Sequence, residues 1–130
     1  MRKIGLISLL LVGLLSLGFG WENSQSITAS LKVHAFPEQA VIALDGDQTI
    51  YVIVQDQRLV PVQGAQVSLV IRMPAGEENR IILPTLTDAN GVTQFAFSYT
   101  TKTIGIVVIK VTAVHEKLQG TTSTYFWIWW

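Results

Sequence analysis

The chain has 130 residues, a formal net charge of zero and no cysteine. This length suits one small domain, and the absence of a basic patch argues against nucleic acid as a partner. Without cysteine there are no disulfides, thiolate metal sites or thiol nucleophile, so apolar packing and backbone pairing must stabilise the fold.

The first segment is predicted to be an export signal. Two basic residues at positions 2–3 precede an apolar run over residues 4–17, and Gly18 and Gly20 occupy the small-residue positions before a cleavage site. A membrane-spanning helix needs about 20 apolar residues. The short run therefore favours a signal peptide that is removed before Trp21, and an uncleaved membrane anchor is the alternative.

Cleavage divides the chain into three parts, and the last of them is the folded domain. We expect residues 1–20 to be the signal peptide, 21–26 a flexible lead-in, and 27–130 a β-rich domain. The expected location is secreted, at the cell surface or in the periplasm.

The first half of the domain predicts four strands, at residues 27–35, 41–44, 49–55 and 65–73. Asp45-Gly46-Asp47 is expected to form a turn before the third of them. β-Branched residues favour the strand conformation over 49–55, and apolar residues alternate over 65–73. The predicted inward residues are Ile50, Val52 and Val54, followed by Ala65, Val67, Leu69, Ile71 and Met73.

The second half predicts four further segments, at residues 80–86, 92–99, 106–114 and 121–130. Pro84 marks the first of these as an edge strand. Phe95 and Phe97 are expected to face inward, and residues 115–120 to join the last two strands as a hairpin loop. Short strands at this spacing predict an all-β, immunoglobulin-like sandwich of about seven antiparallel strands.

Four segments occur in an order that is typical of a known family. They are Thr49-Ile-Tyr-Val-Ile-Val-Gln-Asp56, Val60-Pro-Val-Gln-Gly-Ala-Gln-Val67, Thr87-Asp-Ala-Asn-Gly91 and Gly105-Ile-Val-Val-Ile-Lys-Val-Thr-Ala113. This order resembles the bacterial immunoglobulin-like domains of the invasin and intimin type, and it is also similar to macroglobulin-like sandwiches. One departure is that Val107 or Val108 replaces the usual tyrosine. The resemblance implies extracellular binding, adhesion or architecture without catalysis, although fold alone does not fix function.

The feature that points to a function is the aromatic C-terminal segment, residues 125–130. Strand periodicity places alternate residues on opposite faces, and here neither face is polar. If Phe126, Ile128 and Trp130 face the core, the other aromatic residues face solvent, and Val70 extends the patch if its strand pairs alongside. Such a surface is larger than monomers usually expose. The expected binding residues are Tyr125, Trp127 and Trp129 with their neighbours Ile106 and Val108.

Two classes of partner and one structural alternative follow from this surface. A protein partner or a second copy of the chain is favoured, because aromatic side chains are enriched at such interfaces. A cell-envelope polysaccharide stacked on the same rings is the alternative function. In the structural alternative, Trp21 and the lead-in fold over the rings, which are then part of the core.

Residues for catalysis or metal binding are sparse. His34 and His115 stand at a strand end and in a loop, and no nucleophile elbow precedes a helix. Calcium requires six to eight oxygen ligands, which the four candidate loop carboxylates, Asp45, Asp47, Asp56 and Asp88, do not supply. We therefore expect no enzyme activity, no cofactor and no metal site.

Overall fold

The computed structural model describes residues 30–130. The predicted signal peptide, the lead-in and the start of the first predicted strand lie outside this range. The described chain contains no helix, and so no helix that is long and apolar enough to cross a membrane. In chain order the strands are β1 (Lys32–Pro37), β2 (Val41–Ile42), β3 (Asp45–Gln55), β4 (Gln66–Arg72), β5 (Glu78–Ile82), β6 (Val92–Thr100), β7 (Gly105–His115) and β8 (Leu118–Ile128).

The strands form two sheets with the core between them. One sheet has three strands in the order β1-β3-β6, and the other has five in the order β2-β8-β7-β4-β5. The predicted all-β sandwich is therefore confirmed. One pairing differs from the expected antiparallel arrangement, because β2 runs parallel to β8, with Val41 opposite Trp127.

The core consists of inward-facing residues from alternating strand positions. Every residue predicted to face inward on β3 and around β4 is at most 9% exposed, which confirms both registers. Phe95 and Phe97 also pack against the core, but they are only half-buried. Burial of one aliphatic side chain contributes about 1.5–3 kcal/mol. The fully buried residues of this set are Ile50, Val52, Val54, Ala65, Val67 and Leu69.

The prediction of a turn at Asp45-Gly46-Asp47 is wrong, because these residues begin β3. Asp45 lies opposite Thr100 of β6, and Asp47 lies opposite Ser98. The Ser98 hydroxyl donates to the Asp47 carboxylate at 2.5 Å, and the Thr100 hydroxyl donates to Asp45 at 3.2 Å. Pairing with a distant strand thus overrides a local composition that favours a turn.

The last hairpin and the fifth strand also differ from the prediction. His115 pairs with Leu118, so the last hairpin closes through the two residues Glu116 and Lys117 instead of a loop over 115–120. The strand predicted over 80–86 runs from Glu78 to Ile82. It is an edge strand as expected, and Pro84 lies beyond its end, where no hydrogen-bond donor is lost from the ladder.

Candidate functional site

The aromatic residues of β8 lie on the outer side of the five-stranded sheet. Trp127 stands opposite Ile106 of β7 and, on its other side, opposite Val41 of β2. Tyr125 stands opposite Val108. The intervening Phe126 and Ile128 are fully buried, so the alternate residues point into solvent. We call this surface the aromatic face; it comprises Val41, Ile106, Val108, Tyr125, Trp127 and Trp129.

All members of the aromatic face are exposed. Tyr125 retains 57% of its accessible surface, Trp127 42% and Trp129 63%. At these fractions the three rings expose about 300 Å² in total, given the size of aromatic side chains. The largest apolar patch of a typical monomer is about 300–600 Å², so the three rings alone do not exceed the usual exposure as expected, but patches of this size are often functional.

A shallow depression lies within the aromatic face. It has a volume of about 400 Å³ and is lined by Val41, Trp127 and Trp129. Because all three side chains are hydrophobic, the depression suits an apolar side chain. Sequence reasoning missed Val41, since the parallel pairing of β2 with β8 joins segments that are far apart in the chain and leaves no local pattern.

The aromatic face is confined to one end of the sheet. The next outward pairs along the β7–β8 hairpin are polar, with Lys110 opposite Ser123 and Thr112 opposite Thr121. On the next strand Arg72 lies opposite Val108, whereas Val70 lies opposite Lys110. β4 therefore pairs beside β7 as expected, but Arg72 bounds the aromatic face where Val70 was expected to extend it.

Trp130 does not face the core, contrary to the strand-periodicity argument. β8 ends at Ile128, and Trp130 is 62% exposed. Its carbonyl accepts a hydrogen bond from the Leu44 backbone N–H, which holds the end of the chain against the segment before β3. Ile104, which precedes β7, is 56% exposed. Trp130 and Ile104 thus add exposed apolar surface near the end of β8.

The ion pair beside the aromatic face is local and solvent-exposed. The Arg72 guanidinium donates to the Glu78 carboxylate at 2.5 Å. This hydrogen bond, together with the positive charge of Arg72, lowers the pKa of Glu78 below its ordinary value. Exposed ion pairs of this kind contribute little to stability. This one pairs Arg72, which lies opposite Val108, with a carboxylate of the chain itself.

The carboxylates that were considered for calcium have other partners. Asp56 accepts hydrogen bonds from the backbone N–H groups of Arg58 and Val60, and Asp88 accepts them from Asn90 and Val92. These are turn-stabilising contacts. Within residues 30–130, no group of three or more His, Cys, Asp or Glu side chains is placed to hold a metal ion.

Comparison with known proteins leaves the family open. No protein-family model matches the sequence, and no curated protein matches it. Among solved structures, the chain is similar to the soluble domain of PmoD from Methylocystis sp., with 16% sequence identity and a TM-score of 0.46 over 75% of this chain and 90% of that chain. A similarity this weak carries no argument about function. The resemblance to invasin and intimin domains stays a prediction.

Proposed function

We propose that the chain is an exported, non-enzymatic binding module of the cell surface or periplasm. Its aromatic face buries against a protein partner or against a second copy of the chain. The observation that carries this proposal is the exposure of Tyr125, Trp127 and Trp129 on the side opposite the fully buried Phe126 and Ile128. Tryptophan and tyrosine are the residues most enriched among interface hot spots.

The neighbours of the rings favour a protein over a sugar. A sugar site needs polar side chains that fix the hydroxyl groups beside the stacking ring. Val41 and Ile106 flank Trp127, and Val108 lies opposite Tyr125. None of these side chains forms hydrogen bonds, and Arg72 is already paired with Glu78.

The size of the surface is compatible with specific binding. Removing about 300 Å² of aromatic surface from water contributes about 7 kcal/mol before the costs of association. That contribution lies in the lower half of the 4–15 kcal/mol range for the cost of association, so it leaves little or no surplus for affinity. Stable binding therefore requires the aliphatic members of the aromatic face and polar contacts at its rim.

Capture from the native cell envelope tests this proposal. The exported chain is immobilised as wild type, as Trp127→Ala and as Thr121→Ala, the last being an exposed polar position on the same strand and the same sheet face. We expect wild type and Thr121→Ala to retain one protein that Trp127→Ala loses. Equal retention by all three proteins contradicts the proposal, and retention of polysaccharide alone supports the stacking alternative.

A further inference from the structure

In the part of the chain that the structure describes, three of the four sheet edges are protected against pairing with another chain, and the fourth is not. β1 contains Lys32 and ends at Pro37, β2 has only two residues, and β5 carries Glu78 and Arg80. Natural proteins protect edge strands by such charges, prolines and short lengths. β6 has nine residues, Val-Thr-Gln-Phe-Ala-Phe-Ser-Tyr-Thr, with no charge, proline or glycine.

The backbone of β6 directs alternate residues towards this unprotected edge. The Gly91 carbonyl accepts a hydrogen bond from Val54 of β3, whereas the Val92 carbonyl accepts one from Asp88, away from β3. Backbone direction alternates along a strand, so even-numbered residues point away from β3. Within residues 30–130, β6 pairs with β3 alone. Four N–H and four C=O groups therefore line the open edge, from Gln94, Ala96, Ser98 and Thr100.

The space beside this edge has an apolar wall. Phe95 and Phe97 face inward from β6 with their rings stacked at a centroid distance of 5.6 Å, and both are half-buried. A cleft of about 470 Å³ lies between β6 and β5, lined on its apolar side by Ile71, Met73, Ile81 and Phe97. Polar side chains of both strands, including Arg80 and Ser98, also line it.

We propose that the β6 edge binds an extended peptide strand of a partner protein, in which every second side chain is apolar and enters the cleft beside Phe97. Added strands gain affinity from main-chain hydrogen bonds and specificity from pockets for alternate side chains. Residues of β5 border the cleft opposite β6. An entering strand is thus flanked on both sides, which suits a single peptide better than the wider edge of a second sandwich. This surface is separate from the aromatic face.

The test uses a peptide with the required alternation. Residues 49–55 of this chain, Thr-Ile-Tyr-Val-Ile-Val-Gln, have an apolar residue at every second position (50, 52 and 54) and belong to β3, the strand that already pairs with β6. A blocked synthetic peptide of this sequence, flanked by lysines for solubility, is added to the exported chain at about 1 mM, which detects even weak binding. Amide hydrogen exchange is then followed by NMR.

We expect about tenfold greater protection of the amides of Gln94, Ala96, Ser98 and Thr100 when the peptide is present. Amides of Phe95 and Phe97, which face β3, should not change. If the protection of these amides does not increase in this alternating pattern, the proposal is wrong. Protection of the same four amides without peptide would also overturn the proposal. If that protection is independent of protein concentration, other residues of this chain cover the edge. If it rises with protein concentration, a second copy of the chain covers it.

Two substitutions at one position provide a matched control. The Ala96 N–H points to the open edge, so Ala96→Pro removes one donor there and leaves the hydrogen bonds to β3 intact. Ala96→Val keeps the donor. We expect Ala96→Pro to weaken peptide binding at least about tenfold, because one main-chain hydrogen bond and the geometry around it are lost. Ala96→Val should bind the peptide as wild type does. If the proline variant does not fold, Ala96→Lys tests the same edge with a charge. Equal binding by all variants contradicts strand addition.

Discussion

Tyr125 lies directly opposite Val108 in the β7–β8 hairpin, and both side chains are exposed. The adjacent cross-strand pair, Phe126 and Val107, is fully buried. One hairpin therefore presents a core pair and an open apolar pair at neighbouring positions. This arrangement allows substitutions one residue apart to separate folding from binding.

The first prediction concerns stability along β8. Phe126→Ala should lower the free energy of unfolding by about 3–5 kcal/mol, because it leaves a cavity among fully buried residues. Tyr125→Ala should lower it by less than about 1 kcal/mol, since that ring is more than half exposed. Urea unfolding of both variants measures the difference. Similar losses would show that the two residues share the core.

The second prediction concerns the Asp88–Gly91 turn. Gly91 has a φ of 74°, and a Cβ atom there would lie 2.4 Å from the Val54 carbonyl oxygen. Gly91→Ala should cost more than about 2 kcal/mol through strain and this clash. Gly76→Ala is the control, because its φ is 99° but no atom lies within 4 Å of the added carbon. Thermal unfolding should place the control closer to wild type; the reverse order would contradict the turn geometry.

The third prediction concerns alkaline pH. Burial, followed by the charges of Asp45 and Asp47, raises the pKa of Tyr99, and its hydroxyl donates to the Ala43 carbonyl. A raised pKa gives stability that is fully present below the unfolded-state pKa of about 10 and is lost as pH rises through the folded-state pKa. The free energy of unfolding should thus fall above about pH 10, where free tyrosine titrates.

Tyr99→Phe is the matched variant for this test. At neutral pH it should cost about 0.5–1.5 kcal/mol for the lost hydrogen bond. Above pH 10 it should lose less stability than wild type, because the titrating group is gone. Parallel pH dependence of the two proteins in urea melts would exclude Tyr99 as the source.

The fourth prediction concerns metal ions. Asp56 and Asp88 bind backbone N–H groups, and Asp45 and Asp47 accept hydrogen bonds from hydroxyls. Since each carboxylate already has a partner, EDTA should leave the urea midpoint unchanged. A sharp fall in that midpoint, reversed by added calcium, would instead indicate that the protein binds calcium.

The register of the core strands could be predicted because only one register buries their apolar residues. Over residues 65–73, a shift of one position would bury Gln66 and Ser68 and expose Val67 and Leu69. The turn prediction at Asp45-Gly46-Asp47 failed because composition describes local preference, whereas pairing with Ser98 and Thr100 is non-local. The open edge of β6 also depends on sheet order, which the local pattern does not contain.

The aromatic face was predicted in part. Alternation along β8 and β7 correctly places Tyr125, Trp127 and Ile106 in solvent. Periodicity gave the wrong orientation for Trp130, because the strand ends at Ile128 and the alternation ends with it. Val41 joins the face only through a two-residue strand, which is too short to show a periodic signal.

The association constant of the aromatic face is the most direct measure of the proposed binding function. It is measured by light scattering for self-association, or by titration with the captured protein, for wild type, Trp127→Ala and Trp129→Ala, with urea unfolding in parallel. We predict that each substitution weakens association by at least about 2 kcal/mol, or about thirtyfold, with only a modest loss of stability. Soluble oligosaccharides should not quench the tryptophan emission. If both variants unfold while the remaining folded protein associates as before, the rings are part of the core beneath the lead-in, and the proposed binding function is wrong.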